Sequence, residues 1–450
     1  MAAYIYRSPA GAGSSTVFTM SYWVKRAKLG TLQTLFSAGT ANKGQLVFDA
    51  EDQLKVVDDG AVVAETSRVF RDVGAWYHIV LAYDTGASST DKCKIYVNGT
   101  LETSYATDNR STAGSLNYVN STEPQYIGAD TGNTFDGEMS WVQMVDGAQL
   151  DPTEFGEVDA TSGIWKIKTT PYATPGTNGF CLKMEDRTNL DLDSSSNAFT
   201  WTTSGNVTPT YDSPSNNFVT LNSLMNVAGN GTLSQGNNTW ARTGNWSSIP
   251  ANLGMVGGKW YWEVKATLIT DSKPSMAIGI AEGPTTATQT QADWDTTNKH
   301  IGDSTLPDCY AWVGFGSGTT FKYNNGSSSV WGSGNTAGPD IIQVAFDATN
   351  GTIWIGRDGT WMNSATQGEI EAGTTTNAMY SGITVNNATP YIPAGSCEAT
   401  TLDFNFGNGY FGITTVSSAN TDTAGIGAME YEVPDGYYCL CTKNIKAYGG

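Results

Sequence analysis

From its first strands to its last, this chain sets apolar against polar residues at every second position, in short runs closed by Gly, Asp or Asn. "STVFTMSYWVKR" places Val17, Thr19 and Ser21 on one side and Phe18, Met20 and Tyr22 on the other. "TLQTLFSAG", "QLVFDA" and "QLKVVDDG" follow in the same manner. Period two is the signature of a strand with two different faces. In "KCKIYVNGTLE", Asn98-Gly99 between alternating segments is a strong hairpin signal, and Asn350-Gly351 and Asp358-Gly359 repeat it around Ile353-Trp354-Ile355. No stretch of three heptads carries apolar residues at helical spacing, which excludes a coiled coil.

With 450 residues the chain exceeds one ordinary core. Its 51 glycines, 11% aromatic and only 15% charged residues favour strands and turns over solvated helices. Two segments open alike: "GAWYHIVLAYD" (74–84) and "GKWYWEVKATL" (258–268). In the first, Trp76, His78 and Val80 share one face while Tyr77, Ile79 and Leu81 share the other. Both faces are largely apolar, so the strand is expected at the centre of a sheet covered on both sides. The expected fold is all-β, with two jelly-roll-type β-sandwich domains joined by an ordered connector. Residues 1–155 form the first sandwich, 156–215 the connector, 216–412 the second sandwich and 413–450 a segment packing back. The connector is punctuated by Pro and Gly, but "GFCLKME" and "AFTWTT" read as strands that pack against their flanks. "LDPTEFGE" reads as a helix start with Asp151 as N-cap. In "YEVPDGYYCLCTKN", Tyr437, Cys439 and Cys441 face one way, Tyr438 and Leu440 the other.

Lys and Arg number 24 against 43 Asp and Glu, a net charge of -19. Without clustered cations the chain is no nucleic-acid binder, and an anionic membrane surface would repel it. The opening "MAAYIYRSPAGAG" lacks the basic and apolar regions of a signal peptide, and no apolar run is long enough to span a membrane. Asn-x-Ser/Thr triplets, as at Asn98, Asn120 and Asn350, are then chance features of an Asn/Thr-rich chain. The six cysteines (Cys93, Cys181, Cys309, Cys397, Cys439, Cys441) include no Cys-x-x-Cys and read as reduced thiols serving as small apolar residues.

Two resemblances carry the domain reading further. The order "FTMSYWVKR…LFSAG…VFRDVGAWYHIVLAYD…KIYVNGTLE…YIGAD…FDGEMSWVQMVDGAQLDPTEFGE" resembles the laminin G-like, concanavalin A-like jelly roll, in the version found in tailed bacteriophages, especially marine ones. The series "GKWYWEVKATL", "SMAIGIAEG", "CYAWVGFGSG", "TFKYNNG", "DIIQVAFDATNGTIWIGRDGTWM" and "LDFNFGNG" resembles the SPRY domain, a bent sandwich used for recognition. The two Trp-Tyr strands are then corresponding central strands of two different sandwiches.

Chemistry is sparse. His78 lies inside an apolar strand and reads as a satisfied core histidine; His300 lies in the polar loop "TNKHIGD". No zinc spacing, nucleophile elbow or phosphate loop occurs. Glucanases of the concanavalin A-like fold place paired acids on one strand as Glu-x-Asp-x-x-Glu. Here Glu157-Val158-Asp159 is followed by no second Glu and lies beyond the last strand, so no enzymatic activity is expected. No cofactor is expected either, with calcium as the one ion the loops would suit. Asp191 and Asp193 alternate with Ser195 like the start of a calcium loop, though a solvated turn explains them better, and Asp130 and Asp136 are a second set. Sugars stack on Trp and Tyr outside strand cores. Trp240, Trp246, Trp294, Trp331 and Trp361 sit among turn residues, where capping the sandwich and touching a ligand are competing roles.

The resemblances imply a virion protein of a tailed phage, made in the host cytoplasm, in a fibre or appendage that contacts host-surface carbohydrate and other virion proteins. Capsid decoration, or a head or tail knob of purely structural role, is the alternative, since the chain enters its first sandwich without a shaft or anchor. A polysaccharide-degrading enzyme is the remote one. The nearly charge-free strands "SMAIGIA", "CYAWVGFGSG" and "GYYCLCT" would need a cover if any lay at a sheet edge, and a homotrimer is the expected assembly. For the cysteines, alkylation of the denatured, unreduced protein followed by mass spectrometry should label all six thiols; a blocked pair would overturn that reading.

Overall fold

A computed structural model describes all residues except 1–2, 42–43, 227–230, 269–273, 284–298, 304–307, 316, 333–338, 389 and 450. The chain is all-β and forms two compact units, Met1–Pro209 with Ser213–Ser215, and Thr210–Asp212 with Asn216–Gly450.

In the first unit an eight-stranded sheet runs in the order Tyr105–Asp108, Ala61–Val69, Gln53–Asp58, Gly44–Phe48, Gln33–Ala38, Gln125–Ile127, Tyr4–Arg7, Thr202–Ser204. A six-stranded sheet runs Phe180–Leu182, Gly137–Asp146, Val17–Arg26, Trp76–Asp84, Cys93–Val97, Thr100–Leu101. Ile5, Phe36, Leu46 and Val56 from one sheet meet Phe18, Tyr22, Ile79 and Leu81 from the other in a single core. The segment after residue 155 supplies one edge strand to each of these sheets. Phe180, Leu182 and Trp201 join the core, and burying them fixes that part of the chain to the sandwich. The helix start at Asp151 is one turn of 3-10 helix, Pro152–Glu154. The Asp151 carboxylate does not cap it; it accepts the Tyr96 hydroxyl at 3.3 Å instead.

Trp76–Asp84 is covered on both faces, as its sequence requires. Tyr77, Ile79, Leu81 and Tyr83 face the core; Val80 and Ala82 pack under Val145 and Phe155 on the other side. There His78 is fully buried, stacked on Trp23 with ring centroids 4.6 Å apart. Its Nδ1 accepts the indole N–H of Trp165 at 2.9 Å, so Nε2 carries the proton and donates to Ser21 Oγ at 2.9 Å. The Trp165 ring lies against Gly99 (φ 78°), where an added Cβ would come within 2.6 Å of it. That turn needs glycine for its backbone and for its room.

In the second unit one sheet runs Thr232–Ser234, Thr239–Arg242, Thr400–Asn405, Lys259–Leu268, Asp340–Asp347, Thr352–Arg357, Thr360–Trp361. The other runs Ser247–Pro250, Tyr391–Glu398, Ser275–Glu282, Cys309–Gly314, Thr320–Asn324, Ser327–Val330. Lys259–Leu268 is again central, but its phase is reversed. Trp260, Trp262 and Val264 enter the core between the sheets, whereas Tyr261 faces out; in the first unit the Tyr points in. With both faces apolar, alternation alone does not say which side is inner.

One edge of this central strand is shared. Thr400–Asn405 pairs antiparallel with Glu263–Leu268, and Tyr438–Cys439 pairs parallel with Trp260–Tyr261. Tyr437, Cys439 and Cys441 pack with Tyr261 and Trp354 on the outer face, while Leu440 joins the inner core, the alternation read from the sequence. Glu263 holds this closure. Its fully buried carboxylate accepts the backbone N–H groups of Glu430 and Tyr431, both at 2.8 Å, the Tyr261 hydroxyl at 2.9 Å and the Asn405 amide at 3.3 Å.

Of the three apolar strands singled out for association, Ser275–Glu282 and Cys309–Gly314 are interior, and Tyr438–Cys439 pairs with the central strand. The eight strands ending these four sheet paths have four residues or fewer, a form of edge that resists pairing with a neighbour. All six cysteines are buried and none forms a disulfide.

Two predictions follow from the buried groups. Glu263→Ala leaves two backbone N–H groups without an acceptor, each costing roughly 1–3 kcal/mol, so urea titration should show the second unit destabilised by about 3 kcal/mol. The two units should also respond oppositely to pH. Burial pushes the Glu263 carboxyl up from 4.5 to about 7 against the pull of its donors. The folded form therefore holds a proton that the unfolded form releases, and stability falls as pH rises through that window. Burial pushes His78 down from 6.5 to about 3, so the unfolded form takes up the extra proton and stability is lost as pH falls below 6.5. Each slope reaches about 1.4 kcal/mol per pH unit at most. Urea midpoints across this range should flatten for the second unit in Glu263→Gln and for the first in His78→Phe.

Candidate functional site

The tryptophans read as loop aromatics serve the interior. Trp240 has no exposed surface, and Trp246, Trp331 and Trp361 are 9%, 8% and 8% exposed. Trp246 meets His300 edge-on at 5.0 Å, Trp361 meets Tyr261 at 6.4 Å, and Trp240 and Trp331 lie in the core between the sheets. None presents a free ring face. Turn residues flank them because a large ring pins a turn to the sandwich beneath it. Trp294 lies outside the described residues.

The aspartates likewise hold turns. Asp130 accepts the N–H groups of Gly132 and Asn133 on one oxygen, and Thr34 Oγ at 2.8 Å and Gln45 Nε2 at 3.1 Å on the other. Asp193 is buried and accepts the N–H groups of Cys181, Ser195 and Phe199, each at 2.9 Å. Asp191 accepts the Thr203 hydroxyl at 3.0 Å. Burial raises the pKa of Asp136, whose backbone carbonyl accepts from Ala27 and Lys28. Among the described residues no three His, Cys, Asp or Glu side chains form a group suited to a metal. Glu157 and Asp159 lie on the hairpin Gly156–Val158/Trp165–Ile167, and Lys166 Nζ bridges them at 3.3 and 3.1 Å. Hydrogen bonds, first from the Ser162 N–H and then from Lys166, hold Asp159 well below the usual carboxylate range. An ion-paired carboxylate held charged is unsuited to donating a proton to a leaving group.

A different surface stands out. On Tyr4–Arg7 the alternation sends Ile5 into the core and Tyr4 and Tyr6 to the opposite face. The neighbouring strand does the same with Ile127 and Tyr126, and Tyr6 sits directly across from Tyr126. The three half-buried rings form a cluster. Tyr6 and Tyr126 stack at 5.9 Å and 27°, Tyr4 meets Tyr126 edge-on at 5.8 Å, and Tyr4 and Tyr6 lie 5.9 Å apart. Burial, then the neighbouring Tyr4, Tyr6 and Glu123, raise the pKa of the Tyr126 phenol. Thr202 pairs with Tyr6 and Ser204 with Tyr4, so the edge strand lines the tyrosines with hydroxyls. Sequence reasoning missed this face although "AYIYRS" carries its signal: Tyr-x-Tyr around one core Ile puts both phenols on the side away from the core.

Residues 3–154 match the family model of the concanavalin A-like lectin/glucanases superfamily, and residues 259–409 match that of the SPRY domain. The chain carries a concanavalin A-like domain and a SPRY domain. No curated protein matches it. Among solved structures it is similar to a candidate carbohydrate binding protein from Bacteroides ovatus, at 18% identity over 45% of this chain and 58% of that one, with a TM-score of 0.33. It is also similar to the SPRY domain of human HERC1, at 12% identity over 37% of this chain and 87% of that one, TM-score 0.26. Stonustoxin is a third, at 12% identity and TM-score 0.29; the match covers 42% of this chain and 28% of the toxin's length. Glu263 lies on the first strand of the SPRY match, and the segment it anchors, at Glu430 and Tyr431, follows the match's last residue. The tyrosine cluster belongs to the concanavalin A-like domain.

Proposed function

We propose that the chain is a non-catalytic recognition protein whose concanavalin A-like domain binds carbohydrate on the face built by Tyr4, Tyr6 and Tyr126, and that it serves in a fibre or appendage of a tailed-phage particle. The tyrosine cluster carries the first half of this reading. Three aromatic rings on a rigid sheet, flanked by hydroxyls, offer what a sugar needs: flat apolar faces for its C–H groups and polar atoms for its hydroxyls. The lectin-type domain class is compatible with it. The second half rests on the ordered motifs resembling phage jelly rolls and on an acidic surface unsuited to nucleic acid.

Calorimetric titration of the purified protein against host-cell polysaccharide tests the binding role. Tyr6→Ala and Tyr126→Ala should each weaken binding by about 1 kcal/mol, roughly fivefold in Kd, with no reducing ends released. Release of reducing ends that stops in Glu157→Gln would make the chain a depolymerase. Immunogold labelling of phage particles should mark the tail appendages; label on the head alone would favour a decoration protein.

A further inference from the structure

We infer that the tyrosine face takes an uncharged oligosaccharide, laid across the strands, and rejects acidic glycans; this rests on the carbohydrate-binding reading above. Strand register gives the direction and spacing of the row. Thr202, Tyr6, Tyr126, Ser37 and Gln45 face one another in turn across five neighbouring strands. Four inter-strand steps of about 4.8 Å make this row roughly 19 Å long, the length of a short oligosaccharide and too long for a single ring. Aromatic rings lie in the part nearest Thr202, and Gln45 closes the other end.

The polar groups along the row are already oriented. Asp130 accepts the Gln45 amide N–H at 3.1 Å, which turns Gln45 Oε1 away from the carboxylate as an acceptor for a hydroxyl. Thr202 is exposed at the opposite end and can donate or accept. Ser37, in the middle, is buried and gives its hydroxyl to the Ala129 carbonyl at 2.8 Å, so the centre of the row has no polar group to offer.

Charge then decides the ligand class. Lys55 lies farther along the same face and is bracketed by Asp49 at 2.8 Å and Glu65 at 3.1 Å. Asp130 stands beside Gln45, and Glu123 acts on the Tyr126 phenol. Lys55, the one ammonium among these groups, is already paired with two carboxylates, and two more stand along the row, on a chain of net charge -19. A uronate or sulfate brought here would lose water and gain no cation in return. A neutral chain meets no such cost, and its binding should respond little to salt.

The test uses the full chain and a panel of neutral linear hexaoses (malto-, cello-, manno- and chitohexaose) beside hexagalacturonate and the free monosaccharides. At least one neutral hexaose should bind, about fivefold more weakly in Tyr6→Ala and unchanged in Tyr6→Phe, which keeps the ring. Hexagalacturonate should bind at least tenfold more weakly, and raising the salt should leave the neutral Kd unchanged. Tyr6-dependent binding of hexagalacturonate as tight as the best neutral probe would overturn the charge argument while leaving the carbohydrate reading intact. A monosaccharide binding as well as its hexaose would overturn the extended row. Binding that ignores Tyr6→Ala, or no binding by any probe, would overturn the tyrosine face as a carbohydrate site altogether.

Discussion

Both central strands of this chain are apolar on two faces, and a sandwich buries only one of them. The second face must be covered by something else, and much of the chain outside the two jelly rolls does that. In the concanavalin A-like domain the cover is the Phe155–Ile167 stretch, with Trp165 over His78 and Phe155 over Val80 and Ala82. In the SPRY domain it is the C-terminal segment, with Met429, Tyr437 and Cys439 over Tyr261 and Trp354. Each cover is fastened by one polar group with no contact to water. His78 accepts a hydrogen bond from the Trp165 indole N–H, and Glu263 accepts two from backbone N–H groups of the C-terminal segment. A buried group of this kind stabilises only while its partners are present.

Against that background the outward face of the eight-stranded sheet is distinct. Its Tyr4, Tyr6 and Tyr126 remain half-exposed, and its hydroxyls point the same way. Seven of the eight tryptophans of the second unit named here are buried, and Trp294 lies outside the described residues. On this face the display falls to tyrosine, which suits a phenol with one apolar body and one polar tip.

The strands, their turns and the two-face burial of the central pair were legible because period two and Asn-Gly turns are local signals. The facing of Tyr437, Cys439 and Cys441 against Leu440 was legible for the same reason. What was not legible depends on distant partners. Whether Trp76 or Tyr77 points inward is set by the opposite sheet, and the answer differs for Trp260 and Tyr261. Trp240 and Trp331 sit beside turn residues yet lie in the core, since local polarity says nothing of what a long side chain reaches. The spacing of Asp191 and Asp193 suits a turn and a cation alike, because short-range carboxylates bind metals and backbone N–H groups with the same geometry. The tyrosine face needed the register between Tyr4–Arg7 and Gln125–Ile127, strands separated by more than a hundred residues.

The placement of Phe180–Leu182 and Thr202–Ser204 bears on where the domain ends. The family match ends at residue 154, yet these later strands close one side of each sheet in the same domain. A gene fragment cut at the match boundary would carry two raw sheet edges and an uncovered His78. The structural module is therefore longer than its recognisable core, and a fragment that keeps both closing strands must run beyond residue 204.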